Sequence, residues 1–170
     1  FPGEIVLLDG LTGTGKTMLM RIIDSYESVS PPRFDYQLEQ ICIGISEHKI
    51  EPRAGTQLLQ LLIDQRQYDL TLSRELNFRP SDLSSILKSS KRNQYLGRLL
   101  NSDAKKSAEI LKHGKEKLFL VVHQLLETST VLDELPNKSL KRVLATRHPF
   151  YLFDHWTSYV NMHGTSPSDF

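Results

Sequence analysis

A chain of 170 residues, 39% hydrophobic and 24% charged, has the composition of an ordinary globular protein with room for one sizeable core. A net charge of +1 creates no field that would make nucleic acid or an anionic membrane the main partner. The single cysteine, Cys42, excludes an internal disulfide, so a reducing, cytoplasmic compartment is expected, and no apolar run reaches the length of a membrane span.

The first element is the most informative. Ile5-Val6-Leu7-Leu8 is an apolar run short enough for a buried strand. It breaks at Gly10, passes through Leu11-Thr12-Gly13-Thr14-Gly15, and resumes at Lys16-Thr17-Met18 with helical spacing. Gly10, Gly15, Lys16 and Thr17 fill the pattern G-x-x-x-x-G-K-[ST] in the strand, loop and helix context that it requires. Glycines bring backbone N–H groups close to a phosphate because no Cβ intervenes, and a helix start points free N–H groups and a positive dipole end into the same concavity. Gly10, Thr12, Gly13, Thr14, Gly15, Lys16 and Thr17 are therefore the candidate anion site, Lys16 adding a mobile charge and Thr17 a hydroxyl for phosphate or a magnesium ion.

The first helix should fade near Ser28, with Pro31-Pro32 as a turn or linker. Leu38, Ile41, Cys42 and Ile45 predict a second helix, and Pro52 and Gly55 an interruption, after which Thr56 caps a helix carrying Leu58, Leu59, Leu62 and Ile63. The alternation from Asp69 to Leu76 reads as a second strand ending near Arg74 or Glu75, and Ser81-Asp82 as a short helix start. Lys88 to Arg92 reads as a solvated connection. Gln94 to Lys112 is then helical, in two pieces meeting at Asn101 and closed by Gly114.

Lys117 to Val122 is a strand ending at His123, Leu125 to Leu135 a short helix stopped by Pro136, and Leu140 to Thr146 a buried strand ending at Arg147. Pro149 suits a first helical turn, and Phe150 to Met162 continues as an aromatic-rich helix stopped at Gly164. Alternating strands and helices predict an α/β fold of three layers, α/β/α, around a mostly parallel sheet. Ligands then gather at the strands' C-terminal ends, where the glycine loop, Arg74 or Glu75, His123 and Arg147 all fall. The whole chain, 1–170, reads as a single phosphate-loop domain; starting at Phe1 without Met and stopping at Phe170, it reads as cut at both ends.

A magnesium-dependent phosphoryl transferase usually places an acid at the tip of a second inner strand, where this chain has His123 and Arg147. Asp9 and Glu75 are the remaining possible metal helpers. Trp156, Phe150, Phe153 and Tyr159 have the spacing of packing residues, and His148, His155 and His163 form no zinc pattern with any cysteine.

Several stretches in order carry a family resemblance. These are His123-Gln124-Leu125-Leu126, Leu135-Pro136, the strand running to Arg147-His148-Pro149, the aromatic helix, and Ser166-Pro167-Ser168-Asp169-Phe170. With the small-residue loop at Gly10 to Thr17, they resemble the nucleotide-dependent sulfotransferases of the P-loop NTPase-like superfamily, in which one strand ends in a histidine, a Leu-Pro turn follows, and the next strand ends in Arg-x-Pro. The resemblance implies 3′-phosphoadenosine 5′-phosphosulfate (PAPS) as donor, its phosphosulfate in the loop, Arg147 on its 3′-phosphate, and His123 and Lys16 as catalytic residues. The acceptor would be a small molecule or glycan offering a hydroxyl or amine. Two positions depart from the family pattern: the loop lysine of the animal cytosolic members falls on Gly13, and a serine eight residues after the arginine falls on His155.

A sulfuryl group carries less charge than a terminal phosphoryl group, so amides and Lys16 suffice to stabilise its transfer without a metal. The full Gly-Lys-Thr loop also fits an ATP- and magnesium-dependent small-molecule or nucleotide kinase, with Thr17 on the metal, and it fits a nucleotide-binding module without turnover.

Overall fold

Four consecutive buried residues, Ile5 to Leu8, form the centre of the sheet in the computed structural model, which describes residues 3–101, 103, 105, 106, 109, 110, 116–123 and 125–163. They belong to β1 (Gly3–Asp9), flanked by β3 (Leu118–Val121) on one side and β4 (Lys138–Leu144) on the other, with β2 (Arg33–Phe34) outside β3. Every pairing is parallel: Ile5 lies opposite Leu118 and Leu140, and Leu8 opposite Val121 and Val143. A continuous apolar run is what a strand needs when both of its faces are covered.

The two faces separate by residue parity. Ile5, Leu7, Leu118 and Leu120 pack against α2 (Tyr36–Ser46), α3 (Pro52–Thr71) and a 3-10 helix, Leu126–Glu134. Val6, Leu8, Phe119 and Val121 face the other way, onto Met20, Leu19 and Ile23 of α1 (Lys16–Asp24). The molecule is thus α/β with three layers and an all-parallel four-stranded sheet, as the alternation of elements predicted.

Local details correct several sequence expectations. α1 stops at Asp24, not near Ser28, because Asp24 is held in the interior by the Ser89 hydroxyl (3.0 Å) and the Lys91 ammonium (3.5 Å). Pro31-Pro32 is no linker: both prolines are buried and lead directly into β2, anchored by the Ser30 hydroxyl, which accepts the Phe119 N–H at 2.9 Å. Pro52 and Gly55 do not interrupt a helix. Pro52 opens α3, where its missing N–H is harmless, and Glu51 rather than Thr56 caps it by accepting the Arg53 and Ala54 amides at 3.0 and 2.7 Å. Gly55 sits inside α3 because Ile45 and Ile50 occupy the space a Cβ would take.

The segment Asp69 to Leu76 is not a strand. α3 runs through Thr71, carrying Leu59, Ile63, Arg66 and Leu70 inward at steps of four, three and four, and this helical period overrides the alternation at its end. No strand precedes Arg74 and Glu75; the second strand is the two-residue β2, too short to show any periodicity. Ser81-Asp82 forms turns ahead of a 3-10 helix, Ile86–Lys88. α4 spans Arg92–Leu99, ending before Asn101, and the expected closure at Lys112 and Gly114 lies outside the described residues.

The short helix expected from Leu125 to Leu135 is present as a 3-10 helix, Leu126–Glu134. β4 starts two residues earlier and stops before Thr146. It is the edge of the described sheet, with Ser139, Lys141, Arg142 and Leu144 exposed, so it is not a buried strand. α5 (Pro149–His163) begins with proline as expected, while Gly164 lies outside the described residues. Its Phe150 and Phe153 are 79% and 73% exposed, which corrects their reading as packing residues; the side chain of residue 159 lies outside the description.

Candidate functional site

β1 ends in a buried carboxylate. Asp9 accepts the amides of Gly10 (2.6 Å), Leu125 (3.2 Å) and Leu126 (2.6 Å), tying the glycine loop to the segment that follows β3. Three such bonds to one charged acceptor hold a strong structural joint. They also use both oxygens, so Asp9 is a tether rather than the metal helper considered from the sequence.

From Gly10 to Gly15 the backbone makes a tight turn with positive φ at Gly10, Gly13 and Gly15 (140°, 86° and 93°), and Gly15 is the N-terminal cap of α1. The Thr14 amide and hydroxyl both bond the Leu11 carbonyl, at 3.3 and 2.7 Å. Among the described residues no protein group accepts from the amides of Gly13, Gly15, Lys16 or Thr17. Those four N–H groups cluster at the start of a nine-residue helix, where the dipole is positive.

Lys16 folds back over this turn, its ammonium bonding the Gly10 carbonyl and, at 3.1 Å, the Leu11 carbonyl. Burial pushes its pKa down from the ordinary lysine value, while the charges of Asp9 and Glu39 oppose that shift. An incoming anion would therefore relieve a desolvated cation as well as four unpaired amides. Thr12 is half-buried within the loop, and Thr17 lies exposed on the first turn of α1.

The tip of β3 supplies the second part of the site. His123 accepts no neighbour by chance: its backbone N–H donates to Glu39 Oε1 at 2.6 Å, and its ring Nδ1 lies 3.2 Å from the same oxygen. Glu39 is 6% exposed, so the imidazole and an amide are its partners in the interior. The ring is also stacked on Tyr36 (5.4 Å between centroids, 2° apart) and on Phe34 (5.5 Å, 17°). A carboxylate on one nitrogen and two stacked rings fix the imidazole's orientation and leave Nε2 unengaged among the described residues.

On the opposite flank of β1, the tip of β4 supplies Arg147. Its guanidinium is exposed, reaches the Gly13 carbonyl at 3.3 Å, and lies 5.5 Å over the Tyr151 ring. His155 from α5 rests against Gly13 closely enough that its ring occupies the place of a Cβ there. The loop is thus bracketed by His123 on one side and by Arg147 and His155 on the other.

Arg74 lies 4.9 Å over the Tyr68 ring. Glu75 pairs with Arg66 (3.0 Å) and Arg33 (2.5 Å) in a network that also holds Asp35, so it is not a metal helper. Among the described residues, no group of three or more His, Cys, Asp and Glu is placed to hold a metal ion.

Sequence reasoning singled out Lys16, His123 and Arg147 but missed Glu39, Tyr36 and Phe34. The available signal was weak: an acid among Leu38, Ile41 and Cys42 on an apolar helix face demands a buried partner, without naming which. No protein-family model, curated protein or solved structure matches this chain. What defines its class is its own architecture, an α/β protein whose candidate site lies at the C-terminal edge of a parallel sheet. Among the described residues no helix is long and apolar enough to cross a membrane.

Proposed function

We propose that the protein is a sulfotransferase that moves a sulfuryl group from PAPS to a hydroxyl or amine of a small-molecule or glycan acceptor. The observation that carries this reading is the pairing of four unpartnered amides at Gly13 to Thr17 with an oriented histidine at the next strand tip. The amides and Lys16 would hold the 5′-phosphosulfate, and Arg147 the 3′-phosphate. The acceptor oxygen attacks sulfur as the bond from sulfur to the bridging phosphate oxygen breaks. His123 Nε2 takes the acceptor's proton, with Nδ1–H held by Glu39, and adenosine 3′,5′-bisphosphate leaves.

The two carboxylates whose charges act on Lys16, Asp9 and Glu39, are already engaged by amides and by His123, which favours sulfuryl transfer supported by N–H groups over a carboxylate-held metal. The G-x-x-x-x-G-K-T spacing and the exposed Thr17 hydroxyl favour a second reading, an ATP- and magnesium-dependent kinase. The compartment we assign is cytoplasmic: Cys42 is a buried, inert thiol, pushed up to about 12 by its desolvation, and has no partner to oxidise with.

Ligand-induced thermal stabilisation separates the readings. Adenosine 3′,5′-bisphosphate without metal should raise the melting temperature more than ATP with magnesium; the reverse order assigns a kinase. His123→Ala should leave that stabilisation intact while lowering sulfuryl transfer about 100-fold or more. Stabilisation without transfer to any acceptor, in the unmodified protein, would make it a binding module.

A further inference from the structure

α2 and α3 leave an open groove between them. It encloses about 560 Å³ and is lined by Tyr36 and Gln40 of α2 and by Leu58, Leu61, Leu62 and Gln65 of α3. Leu58 and Leu61 are 47% and 67% exposed, although Leu59 and Ile63 of the same helix are fully buried. Three residues apart on a helix, the two exposed leucines share a face and make a continuous apolar strip. The rim is neutral amide. Gln37 Oε1 accepts from the Arg66 guanidinium, which leaves the Gln37 NH2 group to donate, and Gln40 and Gln65 each offer a donor and an acceptor. Among the described residues, no charged side chain lines the groove.

Two observations select the occupant. A leucine strip under a rim of amides matches an uncharged molecule with an alkyl part and hydroxyl groups; a carboxylate, sulfate or ammonium would lose hydration there and meet no counter-charge. The groove is also continuous with the His123 centre through one side chain. The Tyr36 ring, 62% exposed, lines the groove and stacks on the imidazole at 5.4 Å. We propose that this groove holds the tail of the acceptor, and that the acceptor is an uncharged amphiphile. Its head, an alcohol or a neutral glycoside, passes the Tyr36 ring to reach His123 while its alkyl chain lies on Leu58 and Leu61. The proposal rests on the transferase reading of His123 and narrows it to one class of acceptor.

Octyl glucoside, kept below its micelle-forming concentration, is the probe. Methyl glucoside lacks the tail, and octyl glucuronide carries a carboxylate on the same tail. Calorimetric titration of the intact protein should give octyl glucoside an affinity about tenfold or more above that of either comparator. Leu61→Glu puts a charge in the groove at an exposed position where glutamate is a good helix former. It should weaken octyl glucoside about fivefold or more and leave unchanged the rise in melting temperature that adenosine 3′,5′-bisphosphate produces. The groove is overturned if octyl glucoside binds no better than methyl glucoside, or binds Leu61→Glu equally well. An uncharged acceptor is overturned if the glucuronide matches the glucoside. Each of these failures leaves the bisphosphate response in place. Absence of that response is the separate failure of the transferase reading, and the acceptor assignment falls with it.

Discussion

Gly10 and Gly15 serve the same turn by different physical means. A Cβ on Gly10 would run into the Ala145 carbonyl oxygen, the acceptor-bearing backbone where β1 meets the end of β4, and φ there is 140°. A Cβ on Gly15 would meet open space, leaving only the backbone cost of φ 93°. Gly15→Ala should therefore cost about 1–2 kcal/mol of stability in urea unfolding, and Gly10→Ala more than about 3 kcal/mol. Equal losses would show that the Ala145 contact is unimportant. At this scale the sequence pointed to Lys16, His123 and Arg147 because spacing and strand tips are local signals. Glu39 escaped because it is 84 residues from His123, and nothing in a local window links two residues that far apart. Asp9 was visible but misjudged: besides the adjacent Gly10 amide, its two other amide partners exist only after β3 has docked and brought Leu125 and Leu126 to it. Asp9→Asn would keep one acceptor oxygen and turn an amide donor toward the others, so a loss of about 3 kcal/mol is expected in the same unfolding experiment.

The elements differ in how much they depend on their surroundings. β1, α1, α2 and β3 follow from apolar runs and helical spacing, and all four appear where the pattern puts them, except that α1 ends early at Asp24. α3 shows how a local alternation loses to a longer period, since burial of Leu59, Ile63 and Leu70 along one helix face outweighs the polar–apolar rhythm of its last residues. The tie between α3 and β4 is electrostatic: Lys138, whose side chain is 1% exposed, meets Asp64 at 2.7 Å. Burial raises the Asp64 carboxyl, but hydrogen bonds from Lys138 and Gln60 outweigh it and hold the group below its ordinary value. A carboxyl depressed by folding contributes stability above its unfolded pKa and loses it as pH falls through the folded value. Asp64→Asn should thus flatten the acid limb of the stability curve below about pH 4, and the two proteins should converge at the lowest pH. An unchanged acid limb would show that the pair contributes nothing.

For the whole molecule, the parity of β1 means that two separate cores are joined through one strand. Leu7 belongs to the core under α2 and α3, Leu8 to the core under α1, and both are fully buried. Leu7→Ala and Leu8→Ala should each cost about 3 kcal/mol, and unfolding followed by Trp156 emission and by backbone circular dichroism should give coincident transitions. A loss confined to one of the two variants would mean that one layer is only loosely attached. The strand, glycine turn and helix at the start of the chain were legible in advance because they depend on neighbours in sequence: a run of apolar residues, the φ freedom of glycine, and a 3.6-residue repeat. The place of β2 beyond β3, the exposure of β4 along the sheet's edge, the meeting of Glu39 with His123 and the groove between α2 and α3 were not legible. Each is selected by surfaces that come together only once the layers are stacked, and the free energy of that burial is carried by no short stretch of chain.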